Sequence, residues 1–143
     1  MNGVRAVFAG LLAGIVMVGA VRADEPPVRV VYHVDGGLEQ ASRALRNIRN
    51  NLEAEPKAQI VVVAIGAGVD FLLKDTKDAG GYPYELTVEQ LADQGVRFEV
   101  CGNTLASRHL KESDISPEAH VIRFGMAEIA RLQFREHYAY IKP

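Results

Sequence analysis

The sequence predicts an α/β fold, a single-domain three-layer α/β/α sandwich on a mostly parallel five-stranded sheet. Three observations carry this. Ile60-Val61-Val62-Val63-Ala64-Ile65 is apolar at every position, the pattern of a central strand covered on both faces. Stretches with helical spacing alternate with short β-branched stretches along the chain, which is the rhythm of βαβ units. Right-handed crossovers between such units place helices on both faces of an open parallel sheet.

The elements follow in order. Asp24 to Pro27 is a polar, proline-containing lead-in. Val28 to Val34 is rich in β-branched residues and reads as the first strand, which Asp35-Gly36-Gly37 breaks. Leu38, Ala41, Leu45, Ile48 and Leu52 then recur at spacings of three and four, one core face of an amphipathic helix. Glu55-Pro56 ends it. The apolar run 60–65 is the second strand. Gly66-Ala67-Gly68 turns the chain, and Val69, Leu72 and Leu73 fit a short helix. Lys74 to Tyr84 is expected as a loop, in which Tyr82 and Tyr84 are candidates for a lid or a subunit contact. Thr87 and Gln90 have capping-box spacing, with Leu86 and Leu91 at the staple positions. The next helix is therefore expected to start at Thr87 and to end at Gly95. Val96 to Cys101 alternates cleanly and reads as the third strand. Asn103 to Leu110 fits a helix, and His120-Val121-Ile122 a short fourth strand. Gly125 opens a helix with Met126, Ile129, Ala130 and Leu132 on one side, and Tyr138 to Ile141 is the last strand.

Composition sets limits. The 143 residues carry 16 Lys plus Arg against 18 Asp plus Glu, a net charge of -2. A phosphate-tracking surface needs a basic excess, so nucleic acid is not an expected partner. The single Cys excludes an internal disulfide. Met1 to Ala23 has the layout of a secretory signal peptide: Arg5, the uncharged run Ala6 to Val21, and Val21-Arg22-Ala23 as a cleavage site. The run is short for a membrane span. The expectation is cleavage after residue 23 and a periplasmic or secreted chain with no membrane attachment. Losing Arg5 and Arg22 takes the 16 basic residues to 14 against 18 acidic ones, a charge of -4. A lone thiol in an oxidising compartment must be buried, capped or reactive.

Ligands of open α/β sheets bind beyond the carboxyl ends of the strands, where strand order reverses. That rule selects His33 and Asp35 after the first strand, Gly66 to Asp70 after the second, Cys101 to Thr104 after the third, and Arg123 after the fourth. Cys101 is the sharpest of these. A thiol at a strand-to-helix junction faces free backbone N–H groups, which favour thiolate; the plainer reading is a buried Cys acting as a small hydrophobe. Gly102 allows a tight turn, and Asn103 or Thr104 is expected to cap the helix. His33 is a candidate base or hydrogen-bond partner for Cys101, against a satisfied strand-end histidine. Asp35 orients His33 or simply makes a turn. Arg123 attracts an anionic sulfur species or is merely exposed. The Arg43 to Arg49 face reads as solvated. Gly66-x-Gly68 lacks the rest of a dinucleotide fingerprint, there is no P-loop, and there is no Cys-x-x-Cys. The four His show no metal-ligand spacing. No cofactor and no metal are expected.

The chain resembles the DsrE/DsrF-like family, in particular its small secreted branch. The stretches that carry the likeness are Val30 to Val34, Ala44 to Asn50, Gly68 to Leu72, Phe98 to Leu105, and the tail Tyr138 to Pro143. Residues 24–143 would then be one DsrE/DsrF-like domain. The resemblance implies a parallel α/β sandwich that assembles into a homotrimer or homohexamer. In sulfur-relay members a Cys after this strand carries sulfane sulfur as a persulfide and hands it to a partner, and Cys101 looks like the matching position. The expected function is a periplasmic sulfur carrier that takes sulfane sulfur from an inorganic donor and gives it to an acceptor protein thiol. In that scheme His33 assists proton movement, and Asn103 and the backbone stabilise the anion. The alternative is a non-catalytic small-anion-binding or oligomeric assembly module with Cys101 as packing. A third reading is a redox-responsive thiol.

Overall fold

The computed structural model describes residues 25–143. The signal peptide expected over residues 1–23 lies outside them. Five strands, β1 (Arg29–Val34), β2 (Gln59–Ala64), β3 (Arg97–Cys101), β4 (Ala119–Ile122) and β5 (Ala139–Ile141), form one sheet in the order β4-β3-β2-β1-β5. Every neighbouring pair is parallel.

The strands are apolar on both sides because both sides are covered. Val30, Tyr32, Val34, Ile60, Val62, Phe98 and Val100 point into the larger core. That core is closed by α1 (Leu38–Ala54), a 3-10 turn (Gly66–Leu72), α2 (Tyr84–Asp93) and the short α3 (Gly102–Ser107). Val31, Val61 and Val63 point the other way and pack on Ile129 and Leu132 of α4 (Gly125–Glu136). The unbroken run in β2 is thus the consequence of its central place between the two layers. Among the described residues no helix is long and apolar enough to cross a membrane.

Local expectations fail in two places. First, α2 starts at Tyr84, not Thr87, with Pro83 as its N-cap. Tyr84 is buried, and its hydroxyl donates to Leu38 O at 3.0 Å and lies 2.6 Å from Ser42 Oγ. Docking that ring onto α1 pulls the helix start back by one turn. Thr87 becomes an interior residue that accepts a bond from Arg49 at 3.2 Å. Tyr84 is therefore core rather than lid, while Tyr82 stays exposed. Second, α3 stops at Ser107, and His109 adopts a left-handed φ of 54° that no helix continues through. The turn expected at Gly66-Ala67-Gly68 is present, and Gly68 is there for close packing. A Cβ there would lie 2.0 Å from Val34 O, so the turn after β2 presses on the end of β1.

The topology places the site. The chain leaves β1, β2 and β3 towards the larger helical layer but leaves β4 towards α4 on the opposite face. The exits of β3 and β4 therefore diverge, and a crevice opens between their carboxyl ends.

Candidate functional site

Cys101 is the last residue of β3 and sits in that crevice. A cavity of about 560 Å³ is lined by Ile65, Cys101, Asn103, Thr104, Ser107, Phe124, Gly125 and Met126. A hollow of similar size, about 570 Å³, lies at the other end of the strands around Lys57, Gln59 and Arg97 but holds no thiol.

The thiol is 5% exposed. Its Sγ accepts the backbone N–H of Gly125, the first residue of α4, at 3.3 Å. Burial pushes the Cys101 thiol up; the N–H groups of Gly125, Thr104 and Asn103 and the Thr104 hydroxyl outweigh it, so its pKa lies below the ordinary thiol value. Hydrogen bonds to the anion thus win over desolvation, and the site favours thiolate.

The wall around the sulfur is fixed by a small network. Cys101 itself is the N-cap of α3, and no side chain caps that helix. The expected cap from Asn103 or Thr104 is absent because Thr104 Oγ1 instead accepts Gly66 N–H at 3.0 Å. Arg108 donates to Gly66 O at 3.0 Å and pairs with Asp70 at 2.6 Å. These bonds tie the turn after β2 to α3 and hold Ile65 in the cavity wall. Gly102 sits against β4; a Cβ there would lie 3.1 Å from Ile122 O. Asn103 is exposed at the rim. Phe124 and Met126, 46% and 60% exposed, form an apolar lip.

Three expected members lie elsewhere. His33 does not partner Cys101. In register it faces Val63 on β2, and Val63 faces Glu99 on β3, so a whole strand stands between histidine and thiol. Two strand spacings amount to about 10 Å. His33 Nδ1 instead lies 2.9 Å from Tyr140 Oη, and among the described residues its Nε2 has no hydrogen-bond partner, the nearest carboxylate being Asp35 at 3.9 Å. Burial lowers the His33 pKa, Asp35 raises it and Lys142 lowers it again; the net direction is down and the ring is neutral at pH 7. Asp35 accepts from Lys142 Nζ at 2.7 Å and from Gln40 Nε2 at 3.4 Å, and Lys142 holds its pKa below the usual value. Arg123 is exposed and stacks on the Phe124 ring at 4.9 Å from its centroid, outside the cavity lining.

The structure thus divides the predicted residues. Cys101, Gly102, Asn103 and Thr104 stay together, while His33 and Asp35 join Tyr140, Lys142 and Gln40 in a separate cluster. Sequence reasoning missed Gly125, Ile65, Ser107, Phe124 and Met126. Gly125 was legible only as a helix start, because its contact with Cys101 crosses from β4's exit to β3's end.

The DsrE/DsrF-like family model matches residues 16–143. The structure of a protein of unknown function, MTH1491 from Methanobacterium thermoautotrophicum, is similar with 32% identity and a TM-score of 0.72, over 81% of this chain and 99% of that one. The ychN protein from E. coli shares the fold at 18% identity and a TM-score of 0.69, over 81% of this chain and 99% of that one. No curated protein matches. The family match, which runs over all of the described residues, establishes that the chain belongs to the DsrE/DsrF-like family, which includes sulfur-relay proteins.

Proposed function

We propose that the protein carries sulfane sulfur on Cys101 as a persulfide and passes it to the thiol of a partner protein. The observation that carries this reading is the Gly125 N–H directed at Cys101 Sγ inside the crevice between β3 and β4. Thiolate is the species that attacks sulfane sulfur. With thiosulfate, the Cys101 sulfur bonds the outer sulfur, the S–S bond breaks, and sulfite leaves with the electron pair. With a polysulfide the leaving group is the shorter polysulfide. In the second step an acceptor thiolate attacks the outer sulfur of the persulfide, and the electron pair returns to Cys101. Neither step needs an external oxidant. His33 is too far to move the proton, so the proton is lost to solvent through the cavity mouth. The work belongs to the periplasm or the exterior, after loss of the leader.

The test is intact mass after incubation with polysulfide, thiosulfate or tetrathionate, beside Cys101→Ser. The expected result is a DTT-reversible gain of sulfur on the native protein alone. Equal loading of Cys101→Ser, or no adduct from any donor, overturns the proposal.

A second reading, an assembly module with Cys101 as packing, draws support from the 5% exposure of that residue. It requires a thiol that resists alkylation until the protein unfolds.

A further inference from the structure

The geometry points to Gly125 as a positioning residue for Cys101: the missing side chain lets the first turn of α4 approach until its N–H reaches the sulfur. The inference deepens the sulfur-carrier reading and takes its functional meaning from it, but its geometry stands apart from any sulfur donor.

Three observations converge. The N–H of Gly125 lies 3.3 Å from Cys101 Sγ. The first N–H groups of a helix have no acceptor within it, so this one is free for the sulfur. A Cβ at position 125 would lie 2.8 and 2.9 Å from Ile65 Cγ1 and Cδ1 and 3.1 Å from Cys101 Cβ. That is too close for any side chain without movement.

The Ile65 atoms that meet this Cβ belong to a half-buried side chain, whereas Cys101 Cβ is fixed to the end of β3; the Ile65 backbone is held as well. Its own N–H is bonded to Val34 O at 2.9 Å. The next residue, Gly66, is held through its N–H by Thr104 and through its O by Arg108. With Cys101 Cβ 3.1 Å away and fixed to its strand, a methyl group at position 125 presses the start of α4 outward even where Ile65 turns aside. The body of α4 is anchored by Ile129 and Leu132 in the smaller core, so the displacement falls on its first turn. A shift of a few tenths of an ångström there lengthens the N–H···S contact directly. Hydrogen bonds to an ionised acceptor are the stronger kind and are sensitive to such lengthening.

The variant Gly125→Ala keeps the N–H and adds only the methyl group. The measurement is the rate of iodoacetamide alkylation against pH on the purified protein. Gly125→Ala is expected to react roughly threefold more slowly at pH 7, because less thiolate is present, and at least as fast as the native protein where the thiol is fully ionised, because the more basic thiolate is the better nucleophile. Adding Ile65→Ala removes the two closest contacts, leaving Cys101 Cβ at 3.1 Å, and moves the profile back towards the native one. An unchanged profile in Gly125→Ala, a slowing that persists at high pH, or no rescue by Ile65→Ala each overturns the assignment. A readout on the native protein covers the case in which Gly125→Ala does not fold. The amide resonance of Gly125 is expected to shift as Cys101 ionises and to stay flat in Cys101→Ser. A flat Gly125 amide in the native protein overturns the inference. Failure of sulfur loading is a separate result: it would leave a Gly125-dependent thiolate with no sulfur to carry.

Discussion

Tyr140 Oη lies 2.9 Å from Nδ1 of His33 and joins the last strand of the sheet to the first. β5 is a three-residue edge strand that, among the described residues, pairs only with β1. Its end is held by the same cluster, with Lys142 on Asp35 and Gln40 donating to Pro143 O at 3.2 Å. The residues at the end of β1 thus latch the C-terminus.

Tyr140→Phe leaves the buried Nδ1 of His33 without its partner. Losing one partner of a buried pair costs about 1–3 kcal/mol. The expected result is lower stability in urea unfolding and faster hydrogen exchange in β5, with Cys101 alkylation unchanged. A change in Cys101 reactivity would refute the separation of the two clusters.

The same histidine sets a pH dependence. Its folded pKa is lowered from 6.5, with burial as the largest cause. Between the folded value and 6.5 the unfolded chain binds more protons, so stability rises with pH in that window. Its contribution is fully present above 6.5 and is lost as pH falls through the folded value. Asp35, also lowered, acts in a more acidic window. Urea unfolding from pH 7.5 to 5 should show stability falling below 6.5, and His33→Gln should flatten that fall. A native slope that His33→Gln leaves unchanged would exclude the ring as its source.

Glu99 has the opposite sign. It is a buried carboxylate on β3, with Oε1 2.8 Å from Arg97 Nε and Oε2 without a hydrogen-bond partner among the described residues. Burial raises its pKa, Arg97 and Arg131 pull it down, and Glu128 on α4 pushes it further up; the net direction is up. The favourable contribution of such a group is present below its unfolded pKa and is lost as pH rises through the folded value. Glu99→Gln keeps an acceptor for Arg97 and removes the buried charge. Its Tm should exceed the native one by roughly 2–5 °C at pH 7.5, with the difference closing towards pH 4.5. A variant less stable at both pH values would show that the charge is needed where it is.

The order of elements was legible because periodicity records which faces are covered. Val62 and Val63, adjacent and both buried, announce a strand between two layers. What was not legible is contact across the sheet. His33 and Cys101 both end strands, and strand ends alone do not say that β2 lies between them. The capping signature at Thr87 was real as a pattern, yet the hydrogen bonds of Tyr84 to α1 outweighed it. Gly125 shows the same limit: a glycine opening a helix carries no mark of the thiol it will touch.

One surface remains to be matched to the expected assembly. Met126, Ala130 and Phe134 are exposed on α4 at spacings of four, so they form one stripe along the helix, and Phe134 is 85% exposed. A side chain so open gains little in a monomer and much against a second copy. The stripe starts at Met126, on the lip of the Cys101 cavity, so subunits meeting there would shield the persulfide from water. The expected result is a native mass, by light scattering, of three or six chains. Phe134→Glu should lower that mass to one chain without loss of helical content, and should expose Cys101 to faster alkylation. A native protein that runs as a monomer at all concentrations would remove self-association from the proposed function and leave the stripe free for the sulfur acceptor.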